Sequence, residues 1–296
     1  LGELRKPLRI DSNKRLDKIY SSIYSPTDFF FIYKYITPPI RRVNITPQLN
    51  FADEAIIKDA GGSYLVETDY YKIRLGKSSP EIKYIGNRTT NFLGDEGMYY
   101  DYILITWGTI PYIGQANGYV LHEISYTNVT LGNNQIIYRT VLTNQNGTES
   151  WATLTVKYTF FQRAFKREIT VANDWVSGAS MNVDISMTYF SPMRYFWFQE
   201  DGGRRKSRTV YPCEDWVSIK KIKFNKFFIS NGCQGVYIEF ENSAPYPSSI
   251  GYSGLVGYPY YTVSIGMSDT LLPGEPMHVI QWISLGDEET ARDNVE

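Results

Sequence analysis

Apolar and polar residues alternate at period two through most of the chain after residue 60, and this pattern restricts the fold more than any other feature. In SWATLTVKYTFF, residues 150–161, Ala152, Leu154, Val156, Tyr158 and Phe160 share one face, with Thr153, Thr155, Lys157 and Thr159 on the other. Successive side chains of a strand point to opposite sides of its sheet, so the pattern is that of a strand with one buried face. AFKREITVAND follows a short Gln162-Arg163 turn and sets Phe165, Arg167, Ile169 and Val171 against Lys166, Glu168 and Thr170. Together the two runs predict an antiparallel hairpin. NVDISMTYF, YYKIRL, QIIYRTVL and YYTVSIGM repeat the alternation, giving roughly fifteen strands separated by Gly, Asn, Asp and Pro turns. Regularly spaced strands of this kind imply an all-β chain of antiparallel sheets packed as a sandwich or barrel.

Two segments depart from the pattern. Residues 1–59 open with a polar lead and the apolar run DFFFIYKYI, and Pro38 and Pro39 make the following stretch an extended connector or edge strand rather than a helix. GDEETARDNVE, near the other end, reads as a short acidic helix start. The expected organisation is therefore an N-terminal extension over 1–59, a β-sandwich domain over 60–285 and a C-terminal tail or linker over 286–296.

Thirty basic against thirty-one acidic residues leave a net charge of -1, which gives no electrostatic footprint for nucleic acid. The sequence has no apolar stretch near the roughly 18 residues needed to span a bilayer. It starts at Leu1 without a basic-then-apolar leader, so a leader, an anchor or further domains of the same chain are expected outside it. Cys213 and Cys233 are its two cysteines, too few for an all-cysteine zinc site, with one bridge between them open. No metal and no cofactor are expected. Sequons at Asn44, Asn87, Asn128 and Asn146 point to a glycosylated protein, extracellular or at the cell surface.

Phosphate-cradling glycine loops, nucleophile elbows, HExxH and Cys-His clusters are all missing from the sequence. What stands out is GVYIEFENSAPYPSSI, residues 235–250. Val236, Ile238 and Phe240 point one way, and Tyr237, Glu239 and Glu241 the other. The two carboxylates sit about 7 Å apart on one side of a strand. A glycosidase pair must flank the scissile bond from opposite directions, so this pair is not one, and Glu239 alone is kept as a candidate general base. Residues 190–216 add Arg194, Tyr195 and Trp197 beside a hairpin tip, EDGGRRK. Aromatic planes suit the C–H face of a sugar, while carboxylates and arginines suit its hydroxyls.

With these landmarks in place, residues 60–285 resemble the galactose mutarotase (aldose 1-epimerase) superfamily. Leu121, His122 and Glu123 resemble an early histidine landmark, and the hairpin of SWATLTVKYTFF and AFKREITVAND resembles the family's long hairpin. GVYIEFENSAPYP followed by LLPGEPMHVIQW is similar to the strand bearing the catalytic glutamate and the turn after it. The resemblance implies a β-supersandwich, Glu239 as base on the concave side of a sheet, and His122 as the substrate-contacting histidine. It also sets Met187, in NVDISMTYF, at the position of the family's acid, and a thioether cannot deliver a proton. The expectation is a carbohydrate-binding or carbohydrate-enzyme-associated β-sandwich lacking standard mutarotase activity, with a mono- or oligosaccharide as partner. Tyr237, Glu241, Tyr189, Trp197, Tyr195 and Arg194 are the candidate substrate contacts. One alternative is an active epimerase or lyase-like enzyme using Glu239, with Tyr189 or Tyr237 as acid. The other is a structural cell-envelope glycoprotein.

Overall fold

A computed structural model describes residues 55–93, 101–107, 110–114, 126–143, 147–175, 180–190, 192–200, 203–241, 248–254 and 261–295. All of them fall within one compact unit, Leu49–Glu296. The chain is all-β, with strands in three antiparallel sheets and, among the described residues, one short helix.

The first sheet is a four-stranded meander of β1 (Ile57–Asp59), β2 (Ser63–Glu67), β3 (Lys72–Gly76) and β4 (Ile82–Gly86). The second has nine strands. Its centre is β9 (Ser150–Phe160), β10 (Ala164–Asn173), β16 (Gly235–Phe240) and β19 (Pro276–Gly286). β12 (Tyr195–Glu200), β13 (Arg205–Thr209) and β15 (Phe224–Ser230) extend it on one side, and β7 (Asn128–Leu131) and β8 (Gln135–Thr143) on the other. Its order is β13-β12-β15-β16-β19-β10-β9-β8-β7. The third comprises β5 (Asp101–Trp107), β6 (Ile110–Gly114), β11 (Met181–Tyr189), β14 (Val217–Ile222), β17 (Ser248–Gly254) and β18 (Tyr261–Leu271), in the order β14-β17-β18-β11-β5-β6.

The alternation in the sequence places the core. Ala152, Leu154, Val156, Tyr158 and Phe160 of β9 are all fully buried, as are Val236 and Ile238 of β16. They share one apolar cluster with Val183, Ile185, Met187 and Tyr189 of β11 and Val263, Ile265 and Met267 of β18, so the inner faces of the two larger sheets line the same core. Removing each such side chain from water contributes roughly 1.5–3 kcal/mol. The β9–β10 hairpin closes where expected, with the Phe161 N–H donating to the Ala164 carbonyl at 3.0 Å. A second hairpin joins β12 to β13 across Gly203, whose φ of +85° suits a residue without a Cβ.

Three tyrosine hydroxyls tie the small meander to the large sheet. Tyr71 donates to the Phe161 carbonyl, Tyr138 to that of Gly76 and Tyr158 to that of Pro80, each at 2.6 Å. Each hydroxyl satisfies a carbonyl in a turn or at a strand end. Burial pushes the Tyr71 and Tyr138 phenols far up from their ordinary value, so both remain donors.

The segment following β19 forms helix α1 (Glu288–Asp293). Asp287 caps it, accepting from the Thr290 N–H at 2.9 Å, and Glu288 and Glu289 occupy its first turn. Ala291 and Val295 close over the outer face of the nine-stranded sheet, in a second apolar cluster with Ala164, Trp197, Phe228 and Tyr237. Among the described residues no helix is long and apolar enough to cross a membrane.

Candidate functional site

Glu239 lies on the outer face of β16, with Lys226 of β15 and Trp282 of β19 as its direct cross-strand partners. The Tyr237 hydroxyl donates to its Oε2 at 3.1 Å, and Lys226 Nζ lies 3.7 Å from the same oxygen. Glu241 accepts from Trp282 Nε1 at 3.2 Å and pairs with Lys166 at 3.1 Å, while Lys157 pairs with Glu168 at 3.1 Å. These contacts form a ladder of cross-strand ion pairs around a half-buried indole. Tyr237 is fully buried and Trp197 is 3% exposed, its ring covered by the Arg205 guanidinium at 4.2 Å. Both belong to the cluster beneath α1, so neither ring offers a face to a sugar.

The other residues singled out from sequence are scattered. Tyr189 is fully buried on β11 and directs its hydroxyl at Met187 Sδ, 2.7 Å away. Met187 is buried as well. Both face the core between the larger sheets, whereas Glu239 faces away from that core, so Tyr189 does not stand as an acid opposite Glu239. Arg194 and Tyr195 line a cavity of about 430 Å³ with Asn231, Cys233 and Asp287. Arg194 is exposed, its guanidinium 5.7 Å from the Tyr261 ring centre. Cys213 and Cys233 are exposed and unbridged. Asn128 is exposed on edge strand β7. Asn87 turns its chain locally, accepting from the Thr89 and Thr90 N–H groups and donating to Gln234 Oε1 at 2.7 Å. His122, Asn44 and Asn146 lie outside the described residues.

A different place has the shape of a ligand site. On the outer face of the six-stranded sheet is a cleft of about 880 Å³, lined by Asn182, Asp184, Ser218, Lys220, Lys223, Ser248, Ser249, Ser268, Asp269 and Thr270, together with Leu104 and Val183. The sheet beside it carries little bulk. Gly266 lies so close beneath Ser249 and Asp184 that a Cβ there would meet Ser249 Oγ at 3.1 Å and Asp184 Oδ1 at 3.5 Å. Farther along the same face Ser186 and Thr188 each reach Ser264 Oγ at 3.1 Å, and Thr270 donates to Asn182 Oδ1 at 2.7 Å. Burial pushes the Asp184 carboxyl up to about 6. Neither Lys220 nor Lys223 forms an ion pair among the described residues. Hydroxyls that donate and accept, an amide and a carboxylate in one trough are the complement of a polyol.

The sequence carried this signal unread. On NVDISMTYF the face opposite the core is Asn182, Asp184, Ser186 and Thr188, and on β18 it is Thr262, Ser264, Gly266, Ser268 and Thr270. Two neighbouring strands with nothing but small polar residues on one face suit neither a core nor an ordinary charged surface.

Comparison with known proteins places the architecture. The chain has the galactose mutarotase-like supersandwich fold. It is similar to a galactose mutarotase-like protein from Lactobacillus casei, at 10% identity over 76% of this chain and 100% of that one, with a TM-score of 0.50. It is also similar to a Klebsiella pneumoniae protein provisionally assigned as an aldose 1-epimerase, at 10% identity over 79% of this chain and 82% of that one, with a TM-score of 0.52. At such identities the likeness is one of fold, and a shared fold does not carry a shared activity. No family model and no curated protein sequence matches the chain.

Proposed function

We propose that the chain is a carbohydrate-binding β-sandwich, exported and glycosylated at exposed Asn128, that does not catalyse standard mutarotation. The observation that carries the reading is the cleft of about 880 Å³ on the six-stranded sheet, lined by Ser218, Ser248, Ser249 and Ser268 and by the half-buried Asp184. A pyranose presents vicinal hydroxyls that a carboxylate accepts in pairs, and serine hydroxyls adapt to whichever partner remains. Against catalysis stands the Glu239 ladder: the described groups nearest that carboxylate are a phenol it already accepts from, an ammonium and an indole, and neither Met187 nor Tyr189 faces it.

A glycan array followed by titration calorimetry tests the reading. The protein should retain at least one neutral glycan, and Asp184→Ala and Ser249→Tyr should each weaken that binding tenfold or more. Glu239→Gln should leave it within about twofold. Binding that survives both cleft variants and is lost with Glu239→Gln would return the site to the nine-stranded sheet.

A further inference from the structure

Trp216 is 57% exposed, and its six-membered ring packs over Gly251 on the outer face of β17. A Cβ at residue 251 would lie 2.2 Å from Trp216 Cζ2, so the glycine is what lets the ring bed on the strand. Gly251 is opposite Ser264 of β18, which is in turn opposite Thr188 of β11. Asp184 is four residues before Thr188 on β11, on the same face. Ser249, Ser264, Gly266 and Ser186 occupy the ground between them, again on that face, Ser249 and Ser264 half-buried and Gly266 and Ser186 buried beneath them. Four residues along a strand and two strand spacings across place Trp216 and Asp184 about 13 Å apart one way and about 10 Å the other, a diagonal that fits about three pyranose units.

An exposed indole seated on backbone has no core to serve. Its exposed aromatic surface suits the C–H face of a pyranose ring. Asp184 and the serines, by contrast, suit hydroxyl edges. A chain that meets both must be extended, must present one ring's flat side at one end and hydroxyls at the other, and can project past either end because the trough is open to solvent at Ser218 and Asn182. Asp269 and Asp184 offset Lys220 and Lys223 in charge, which favours an uncharged ligand.

We infer that this face takes an internal stretch of a neutral linear polysaccharide, about three sugars long, with Trp216 as the stacking platform at one end and Asp184 as the hydroxyl acceptor at the other. The inference rests on the carbohydrate reading above and adds to it a ligand length, an orientation and a residue outside the cleft.

Calorimetry with cello-, xylo-, manno- and malto-oligosaccharides of one to six units tests it. In at least one series affinity should climb steeply to three units and level off beyond. Trp216→Ala should weaken the trimer tenfold or more while changing the monomer less than twofold, and Trp216→Phe should restore most of the loss. Indole emission should shift to the blue when the trimer binds, and the shift should vanish in Trp216→Phe, which keeps an aromatic ring over Gly251. If wild type binds oligosaccharides but Trp216→Ala matches it at every length, the platform is wrong and the cleft reading stands. If wild type binds no neutral sugar of any length, or only uronate-bearing chains, the inference falls, and the complete absence of sugar binding takes the cleft reading with it.

Discussion

Asp184 shows how one residue reports on its surroundings. Burial raises its carboxyl to about 6, and among the described residues no hydrogen bond or ion pair offsets it. The folded protein therefore holds this proton more tightly than the unfolded chain, where the value is near 3.8. Between about pH 4 and pH 6 the folded state binds more protons than the unfolded one, so stability falls as pH rises through that window and stays at its lower level above it. A two-unit shift corresponds to roughly 3 kcal/mol, which partial exposure of the side chain reduces to about 1–2 kcal/mol. Asp184→Asn should accordingly stabilise the protein by that amount at pH 7.5 and leave it unchanged at pH 4, as read by urea unfolding at the two pH values. The tyrosines answer a separate question raised by composition. Of 25 in the chain, Tyr71, Tyr138 and Tyr158 act as struts whose hydroxyls cap buried carbonyls. Tyr158→Phe leaves the Pro80 carbonyl without its donor and should cost about 1–2 kcal/mol in the same assay.

Among the elements, the long hairpins were legible because every second residue of β9 and β10 declares its face, and a strand with one buried side has a single register that satisfies it. The face of β16 was legible for the same reason. What lay beyond sequence was the cover over that face. Tyr237 and Trp197 read as substrate contacts, yet α1, itself readable from its acidic start, folds back so that Ala291 and Val295 seal both from solvent. Period-two patterns tell which residues share a side, but they carry no information on what packs there. α1 is small and its hold rests on Ala291, on the Ser284 hydroxyl donating to the Ala291 carbonyl and on the Arg205–Glu288 pair at 2.7 Å. Ala291→Asp buries a charge with no cation beside it among the residues of that apolar cluster. The helix should detach before the sheet unfolds. Tryptophan emission should shift to the red and amides of residues 288–295 should lose protection from hydrogen exchange, with the main unfolding transition lowered by only a few degrees.

At the scale of the molecule, sheet membership decides what chemistry is available. Mutarotation needs a base at the anomeric hydroxyl and an acid at the ring oxygen of the same sugar, each contributing roughly 10² to 10⁴ in rate. The resemblance in sequence aligned a glutamate and a methionine as if they shared a pocket, because linear order preserves landmarks without saying which way each strand turns its side chains. In the folded chain Glu239 looks outward from the nine-stranded sheet through an ion-pair ladder, and Met187 and Tyr189 look inward from the six-stranded one into a shared apolar core. A histidine placed at residue 187 would therefore put an imidazole in the core, not beside the glutamate. Met187→His should reduce stability by about 2–4 kcal/mol, through a buried polar ring with no designed partner. It should also leave the polarimetric equilibration of α-D-galactose and α-D-glucose at the rate of buffer alone, as for the unaltered protein. A measurable gain of mutarotase activity in that variant would mean that the two residues meet across a common pocket, and that the outward face of β16 is not where Glu239 does its work.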